Sequence, residues 1–137
     1  MQQNTRRKPR ITICEGDYNR LSNLAAAFSQ RSPEIAANLA DEIDRARIVS
    51  DKAIGAAVVR MGSGVTYVVD GHQSKTVTLV YPGDANIEEG RISITTPVGT
   101  ALIGLKTGQS ISFATRTGQI HDLTVVDVWQ ARQHAVA

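Results

Sequence analysis

Cysteine and aromatic residues are scarce in this chain, and each scarcity excludes a class of site. Cys14 is the only cysteine among 137 residues, so an internal disulfide and a multi-cysteine metal site are excluded. Two Phe, three Tyr and one Trp are too few for a base-stacking surface that binds single-stranded nucleic acid. We therefore expect no metal site and no cofactor.

Long apolar runs are absent as well. No stretch approaches the roughly 20 residues that a membrane-spanning helix needs, and no signal-peptide core is present, so we expect a cytoplasmic protein without a membrane partner. The formal charge is only +2, and most of the excess lies in Arg6, Arg7, Lys8 and Arg10. Such a run is typical of a solvated tail; a nucleic-acid or membrane contact is the alternative.

The first fifty residues have the pattern of two helices. Apolar residues recur at three- and four-residue spacing between residues 15 and 30. Ser32, Pro33 and Glu34 predict a second helix start, with Ser32 as N-cap and Pro33 at the first helical position. An apolar stripe then continues to Ala46. Because few residues separate the two helices, we expect residues 1–50 to comprise the basic N-terminal tail and a short antiparallel helical hairpin.

Beyond residue 50 the apolar residues alternate, which predicts strands. The candidate strands, including one before the helices, are 10–14, 58–61, 65–69, 76–81, 91–95, 110–115 and 120–129. Gly118 predicts a hairpin turn between the last two. The fold class is therefore α+β: a helical hairpin, then a small antiparallel sheet with one short helix over residues 51–137.

That short helix follows Pro97 and is the most informative part of the sequence. The pattern predicts a strand that ends at Thr96, a helix that Pro97 begins, and a left-handed stop at Gly104. Gly108 then predicts a turn into the next strand. This segment contains no catalytic side chain, so it is typical of a docking surface and not of an active site.

No catalytic constellation is evident, and we predict that the chain is not an enzyme. His72, His121 and His134 are scattered, without metal-ligand spacing. His121 and Asp122 would point to opposite faces of a strand, so they cannot act as a base and its orienting carboxylate. Cys14 is expected to be a small buried side chain at a strand–helix junction.

An acidic cluster lies late in the second helix, at Asp41, Glu42 and Asp44. The simpler interpretation is a solvated helix face that pairs with Arg45 and Arg47. The alternative is an electrostatic contact with a basic partner.

Three segments carry a resemblance to a known family: Pro97-Val98-Gly99-Thr100-Ala101-Leu102-Ile103-Gly104-Leu105, Leu79-Val80-Tyr81-Pro82, and Leu39-Ala40-Asp41-Glu42-Ile43-Asp44-Arg45-Ala46. They resemble the Gre family of bacterial transcript-cleavage and elongation factors (GreA/GreB), and more closely its small relatives, the regulators of nucleoside diphosphate kinase (Rnk). The resemblance covers roughly residues 9–130. It implies that residues 51–137 form an FKBP-like GreA/GreB C-terminal domain.

The resemblance also implies a partner. In the cleavage factors a long coiled coil enters the secondary channel of RNA polymerase, two acidic residues at its tip help to hold a catalytic magnesium ion, and the globular domain binds the channel rim. Here the tip residues Arg31, Ser32 and Glu34 supply one carboxylate, which is too few to hold a hard cation. We expect a non-enzymatic transcription regulator that docks at the rim, competes with cleavage factors and influences the level of nucleoside diphosphate kinase.

The expected docking patch comprises Ser93, Thr96, Pro97, Gly99 and Leu102. The alternative is that these residues only pack the short helix onto the sheet; for Leu102 that packing role is the better interpretation, and for Thr96 and Pro97 both interpretations stay open. Three other functions stay open: a protein-interaction module that acts directly on the kinase, an FKBP-like prolyl isomerase, and residual cleavage that uses Glu34. The aromatic residues are too few for the isomerase pocket.

Overall fold

Two N-terminal helices lie between two short strands in the chain. The computed structural model describes residues 8–130. The first elements are β1 (Thr12–Cys14), α1 (Glu15–Phe28), α2 (Pro33–Asp44) and β2 (Arg47–Val49). Strands β1 and β2 pair in parallel, with Thr12 opposite Arg47. Helices α1 and α2 pack against each other, and we call them the helix pair. The paired strands β1 and β2 lie at its base.

Local chemistry explains where these helices begin. Pro33 occupies the first position of α2, where its missing N–H costs nothing. Ser32 is the N-cap by position, but its hydroxyl makes no capping hydrogen bond, contrary to the sequence prediction. At the start of α1 the Gly16 N–H donates to Asp51 Oδ1 at 2.9 Å, so a distant carboxylate supplies the cap. At 1.5 Å per residue, α1 and α2 are about 21 Å and about 18 Å long.

The remaining strands form one five-stranded sheet. Its members are β3 (Gly64–Val69), β4 (Lys75–Val80), β5 (Arg91–Ser93), β6 (Ser110–Ala114) and β7 (Ile120–Trp129), and the short helix α3 spans Pro97–Leu102. The strand order is β5-β4-β3-β7-β6. The β4–β5 pair is parallel and the other pairs are antiparallel, so the sheet is mixed where the sequence predicted an antiparallel one.

Two predicted strands differ from the observed ones. Residues 58–61 form only an isolated bridge, between Val58 and Lys106, because the chain turns where the Ser63 N–H donates to the Arg60 carbonyl. Strand β5 ends at Ser93 and not at Thr96, because the Thr96 N–H folds back to the Ser93 carbonyl at 3.1 Å. The hairpin turn at Gly118 is confirmed, with φ at +88°.

The apolar core is continuous between the helix pair and the sheet. Its fully buried side chains come from both halves of the chain and include Ile11, Ile13, Leu21, Leu39, Val65, Leu79, Ile94, Leu102, Leu105 and Leu123. The base of the helix pair is therefore fixed to the sheet by burial of apolar surface. No helix within residues 8–130 is long and apolar enough to cross a membrane.

Candidate docking surface

The corner between β5 and α3 is built by a network of hydroxyl groups. Thr96 is the N-cap of α3: its Oγ1 accepts a hydrogen bond from the Gly99 N–H at 3.0 Å and donates to the Ser93 carbonyl at 2.7 Å. The Ser93 hydroxyl accepts from the Thr95 N–H at 3.0 Å. The bond to the Gly99 N–H satisfies a donor that a helix start leaves free, and the other two join the end of β5 to that start, so the corner is held in one geometry.

Close backbone packing fixes α3 against β5. A Cβ atom on Gly99 would overlap the carbonyl oxygen of Ser93, so only glycine allows this approach. Thr100 is buried and its hydroxyl donates to the Ile94 carbonyl at 2.6 Å.

The end of α3 is fixed in the same way. Gly104 has a φ of +81°, which confirms the left-handed stop predicted from the sequence. Its N–H donates to the Val59 carbonyl at 3.0 Å, and its carbonyl accepts from the Thr12 N–H at 3.1 Å. The short helix is thereby connected to the strand that precedes the helix pair.

The five residues of the expected docking patch differ in exposure. Ser93 is 7% exposed, Leu102 is fully buried and Gly99 is buried. Leu102 thus has the packing role that the sequence left as its alternative. Thr96 and Pro97 are half-exposed. Thr96 uses its hydroxyl as the helix cap, and Pro97 is the half-exposed residue of the five whose side chain is wholly apolar.

A groove of about 780 Å³ runs beside this corner, and nothing in the sequence had indicated it. One wall is a face of α2 and the other is the edge strand β6, so we call it the α2–β6 groove. Its lining includes Lys8, Pro33, Glu34, Ile35, Asn38, Asp41, Glu42, Thr95, Pro97, Thr100, Ile111, Phe113, Arg116 and Ile120. Pro97 therefore lies at the boundary between the corner and the groove.

The tip of the helix pair carries little negative charge. Arg31 and Glu34 are exposed, and Ser32 is half-buried. The Arg31 guanidinium lies over the Phe28 ring, 4.8 Å from its centroid, which is a cation–π geometry. Within residues 8–130 no group of three or more His, Cys, Asp or Glu side chains is placed to hold a metal ion.

The base of the helix pair contains a buried carboxylate, which corrects the prediction of a solvated acidic face. Glu42 is only 4% exposed. Its carboxylate accepts from Lys8 Nζ at 2.9 Å and from Arg45 Nη2 at 2.7 Å. Arg45 also donates to the Pro9 carbonyl. Asp41 and Asp44 are exposed, as predicted. Glu42 therefore fixes the incoming chain to α2.

Within residues 8–130, His121 pairs with Asp70 and not with its neighbour Asp122, and His72 lines the same small cleft as this pair. His121 Nδ1 lies 2.5 Å from Asp70 Oδ2, while the Asp122 side chain accepts from the Ser112 hydroxyl at 2.7 Å, so His121 and Asp122 diverge as predicted. His72 is exposed. His134 lies outside the described residues.

Cys14 is fully buried at the β1–α1 junction, as predicted. Burial raises the pKa of its thiol. Arg60 Nη2 donates to Sγ at 3.6 Å. A thiol with a raised pKa is a poor nucleophile, so this group is structural.

Comparison with known proteins identifies the family. The profile described as "Transcription elongation factor, GreA/GreB, C-term" matches residues 54–130, which is more than half of the chain. The chain belongs to the GreA/GreB transcription elongation factor family. A second profile, "Rnk N-terminus", matches residues 9–49. The resemblance drawn from the three sequence motifs is confirmed.

Relatives within the GreA/GreB family match most of the chain. Transcription elongation factor GreA of Roseiflexus castenholzii is 34% identical over 114 residues, which is 82% of this chain and 69% of the relative. The regulator of nucleoside diphosphate kinase of Escherichia coli K12 is 32% identical over 123 residues, 88% of this chain and 90% of the relative. A solved GreA/GreB structure from Nitrosomonas europaea, 34% identical, superposes with a TM-score of 0.70 over 88% of this chain and 99% of that one.

Proposed function

We propose that this chain is a non-enzymatic, Rnk-like transcription regulator that binds RNA polymerase near its secondary channel. Membership of the GreA/GreB family supports a role in transcription. The match along 90% of a regulator of nucleoside diphosphate kinase supports an influence on that kinase. The protein acts in the cytoplasm, where polymerase is, and competes with cleavage factors for one surface.

Two parts of the chain have different roles in this proposed function. The division we propose is a unit over residues 1–50, with the basic tail and the short antiparallel hairpin of α1 and α2, and an FKBP-like docking unit over residues 51–137. The limits of the two family matches, 9–49 and 54–130, support this division. The four residues between α1 and α2 support the antiparallel arrangement.

The docking face is centred on Pro97 and Thr96. The observation that carries the proposal is the corner between β5 and α3, where the Thr96 hydroxyl bonds to the Ser93 carbonyl and Gly99 packs against the same carbonyl, which leaves the Pro97 ring half-exposed. A preformed apolar surface loses little conformational freedom when a partner binds.

The tip explains why docking is not accompanied by cleavage. Glu34 is its one carboxylate, and the exposed Arg31 adds a positive charge to the same tip. A hard cation such as Mg²⁺ needs several oxygen ligands, and a neighbouring guanidinium opposes its binding.

Binding of the full chain to core RNA polymerase tests this function. We expect saturable binding that an unlabelled cleavage factor displaces and that Pro97→Asp weakens at least tenfold. An aspartate at the first helical position favours the helix dipole, so this variant should fold. Ser74→Asp in the exposed β3–β4 turn adds the same charge elsewhere and should bind like the parent chain.

Two results would overturn the proposal. The first is no binding to polymerase at micromolar concentrations, in which case nucleoside diphosphate kinase becomes the partner to test directly. The second is equal binding by Pro97→Asp and Ser74→Asp, which would place the contact elsewhere on the molecule.

A further inference from the structure

A small cleft of about 240 Å³ lies beside the turn between β3 and β4. The side chains with nitrogen atoms that line it are His72, Gln73, Lys75 and His121, and Asp70 supplies its carboxylate. Lys75 lies opposite Tyr67, and Val69 lies opposite Leu123. Cross-strand partners and residues two positions apart share one face of a sheet, so Lys75 and His121 lie on the same face.

The carboxylate of Asp70 is fixed relative to β7 by hydrogen bonds in both directions. Its Oδ1 accepts from the Asp122 N–H at 2.8 Å, and the Asp70 N–H donates to the Asp122 carbonyl at 2.7 Å. Asp70 has a φ of +53°, a left-handed conformation that is uncommon outside glycine. The second oxygen, Oδ2, lies 2.5 Å from His121 Nδ1.

This contact determines which nitrogen of His121 is available for chemistry. Hydrogen bonds from the Asp122 N–H and then from His121 lower the pKa of the Asp70 carboxyl, so the carboxylate is ionised at neutral pH and can only accept. The proton of a neutral His121 ring is therefore on Nδ1, which donates to Asp70. Nε2 then carries a free lone pair and has no hydrogen-bond partner within residues 8–130.

The surroundings of His121 suit the addition of a small anionic group. Its side chain is 30% exposed, and the Phe113 ring lies 5.9 Å from the imidazole, centroid to centroid. His72 and Lys75 are exposed at the same cleft and carry N–H groups that can bind phosphoryl oxygens.

We propose that Nε2 of His121 is a phosphoryl acceptor, with Asp70 as the residue that positions the ring and Lys75 as a contact for the transferred group. The donor is of the phosphoramidate class, in which phosphorus is bound to a protonated nitrogen. Nε2 attacks phosphorus, the P–N bond of the donor breaks, and the amine leaves with the bonding electron pair and its own protons. Nδ1 keeps its proton, so the product is an imidazolium whose positive charge faces the Asp70 carboxylate.

Reaction of the full chain with potassium phosphoramidate at neutral pH tests the site. His72 is the reference within the same molecule, because it lines the same cleft but makes no ion pair within residues 8–130. We expect His121 to be phosphorylated at least about tenfold faster than His72, the usual effect of a charge-assisted hydrogen bond. Peptide mapping by mass spectrometry without acid gives the two rates, since N-phosphoryl groups are labile in acid.

The preference for His121 should depend on the fold and should disappear in urea. Equal rates at the two histidines of the folded chain, or a preference that persists in urea, would overturn the proposal. Polymerase is absent from this experiment, so its outcome is independent of the proposed function.

Charge substitutions test the roles of the neighbouring residues. Asp70→Asn should reduce the ratio of the His121 rate to the His72 rate at least about fivefold, whereas Asp84→Asn, at another exposed carboxylate, should leave it unchanged. Lys75→Gln should slow the reaction of His121 about two- to fivefold, and Lys106→Gln should not. Because the readout is a ratio within one molecule, it separates positioning of the ring from a loss of stability. The same ratio in Asp70→Asn and Asp84→Asn would contradict the role of Asp70.

Discussion

Gly99, in the first turn of α3, lies directly against the carbonyl oxygen of Ser93 at the end of β5. A methyl group at this position would meet three backbone atoms, the carbonyl oxygen and carbonyl carbon of Ser93 and the Cα of Ile94. We expect Gly99→Ala to lower the free energy of unfolding by about 1–3 kcal/mol, the usual cost of overpacking. Alanine is about 1 kcal/mol better than glycine within a helix, so the steric term must exceed that gain.

Urea unfolding measures this effect, and Gly83→Ala is its control. A Cβ atom on Gly83 would meet no atom within 4 Å. We expect the control to stay within about 0.5 kcal/mol of the parent chain. Equal losses in the two variants would show that the contact with Ser93 is not the cause.

Much of this corner was predictable because its determinants are local. Pro97 as a helix start and Gly104 as a left-handed stop follow from the backbone limits of single residues, and the structure confirms both. The two long helices follow from apolar spacing in the same way. Their predicted and observed limits differ by at most two or three residues at each end.

The features that were not predicted depend on contacts between distant residues. Strand β2 forms because Arg47–Val49 pairs in parallel with Thr12–Cys14. Strands of three residues have too short a sequence pattern for this pairing to be predicted. Glu42 is buried because Lys8, 34 positions earlier, and Arg45 converge on it. The α2–β6 groove exists only where a helix and an edge strand come together in space.

The buried carboxylate of Glu42 should contribute to stability. We expect Glu42→Gln to lower the free energy of unfolding by about 1–2 kcal/mol, less than the 3–5 kcal/mol of a fully buried pair. The smaller value follows because the Lys8 and Arg45 side chains remain 49% and 24% exposed, and solvent screens them. Chemical denaturation measures it. Asp44→Asn on the same helix should change stability by less than about 0.5 kcal/mol, and a comparable loss there would contradict a specific role for Glu42.

Asp70 should make the free energy of unfolding depend on pH in the acidic range. Hydrogen bonds from the Asp122 N–H and then from His121 lower the pKa of the Asp70 carboxyl below 3.8. Because the folded-state pKa is the lower one, the stabilisation is present above about pH 4 and is lost as the pH falls through the folded value. Asp70 has a φ of +53°, which asparagine also adopts readily, so Asp70→Asn keeps the turn.

The measurement is the urea midpoint between about pH 2.5 and pH 7. We expect the midpoint of Asp70→Asn to fall less steeply below pH 4 than that of the parent chain. Parallel curves for the two proteins would mean that other carboxyls carry the acid dependence.

The tip of the helix pair should support no transcript cleavage of its own. Neither the parent chain nor Glu34→Ala should stimulate cleavage in stalled transcription complexes with added Mg²⁺, whereas a cleavage factor in the same assay should. A single carboxylate supplies too few ligands for a catalytic metal ion. Cleavage by the parent chain that disappears in Glu34→Ala would support the alternative of residual cleavage that uses Glu34.

Tyr81 illustrates the cost of a buried hydroxyl. Its OH is buried with no hydrogen-bond partner within the described residues, while the Arg20 guanidinium lies 4.2 Å from the ring centroid. Burial, followed by the negative charge of Asp17, raises the pKa of Tyr81 to about 12. Removing an unsatisfied hydroxyl recovers its desolvation penalty, so Tyr81→Phe should keep the free energy of unfolding or raise it by up to about 1 kcal/mol. In a spectrophotometric titration the same variant should lose the step near pH 12. A loss of more than about 1 kcal/mol in the free energy of unfolding would mean that the hydroxyl has a hydrogen-bond partner. The Arg20 contact could not account for that loss, because phenylalanine keeps the ring.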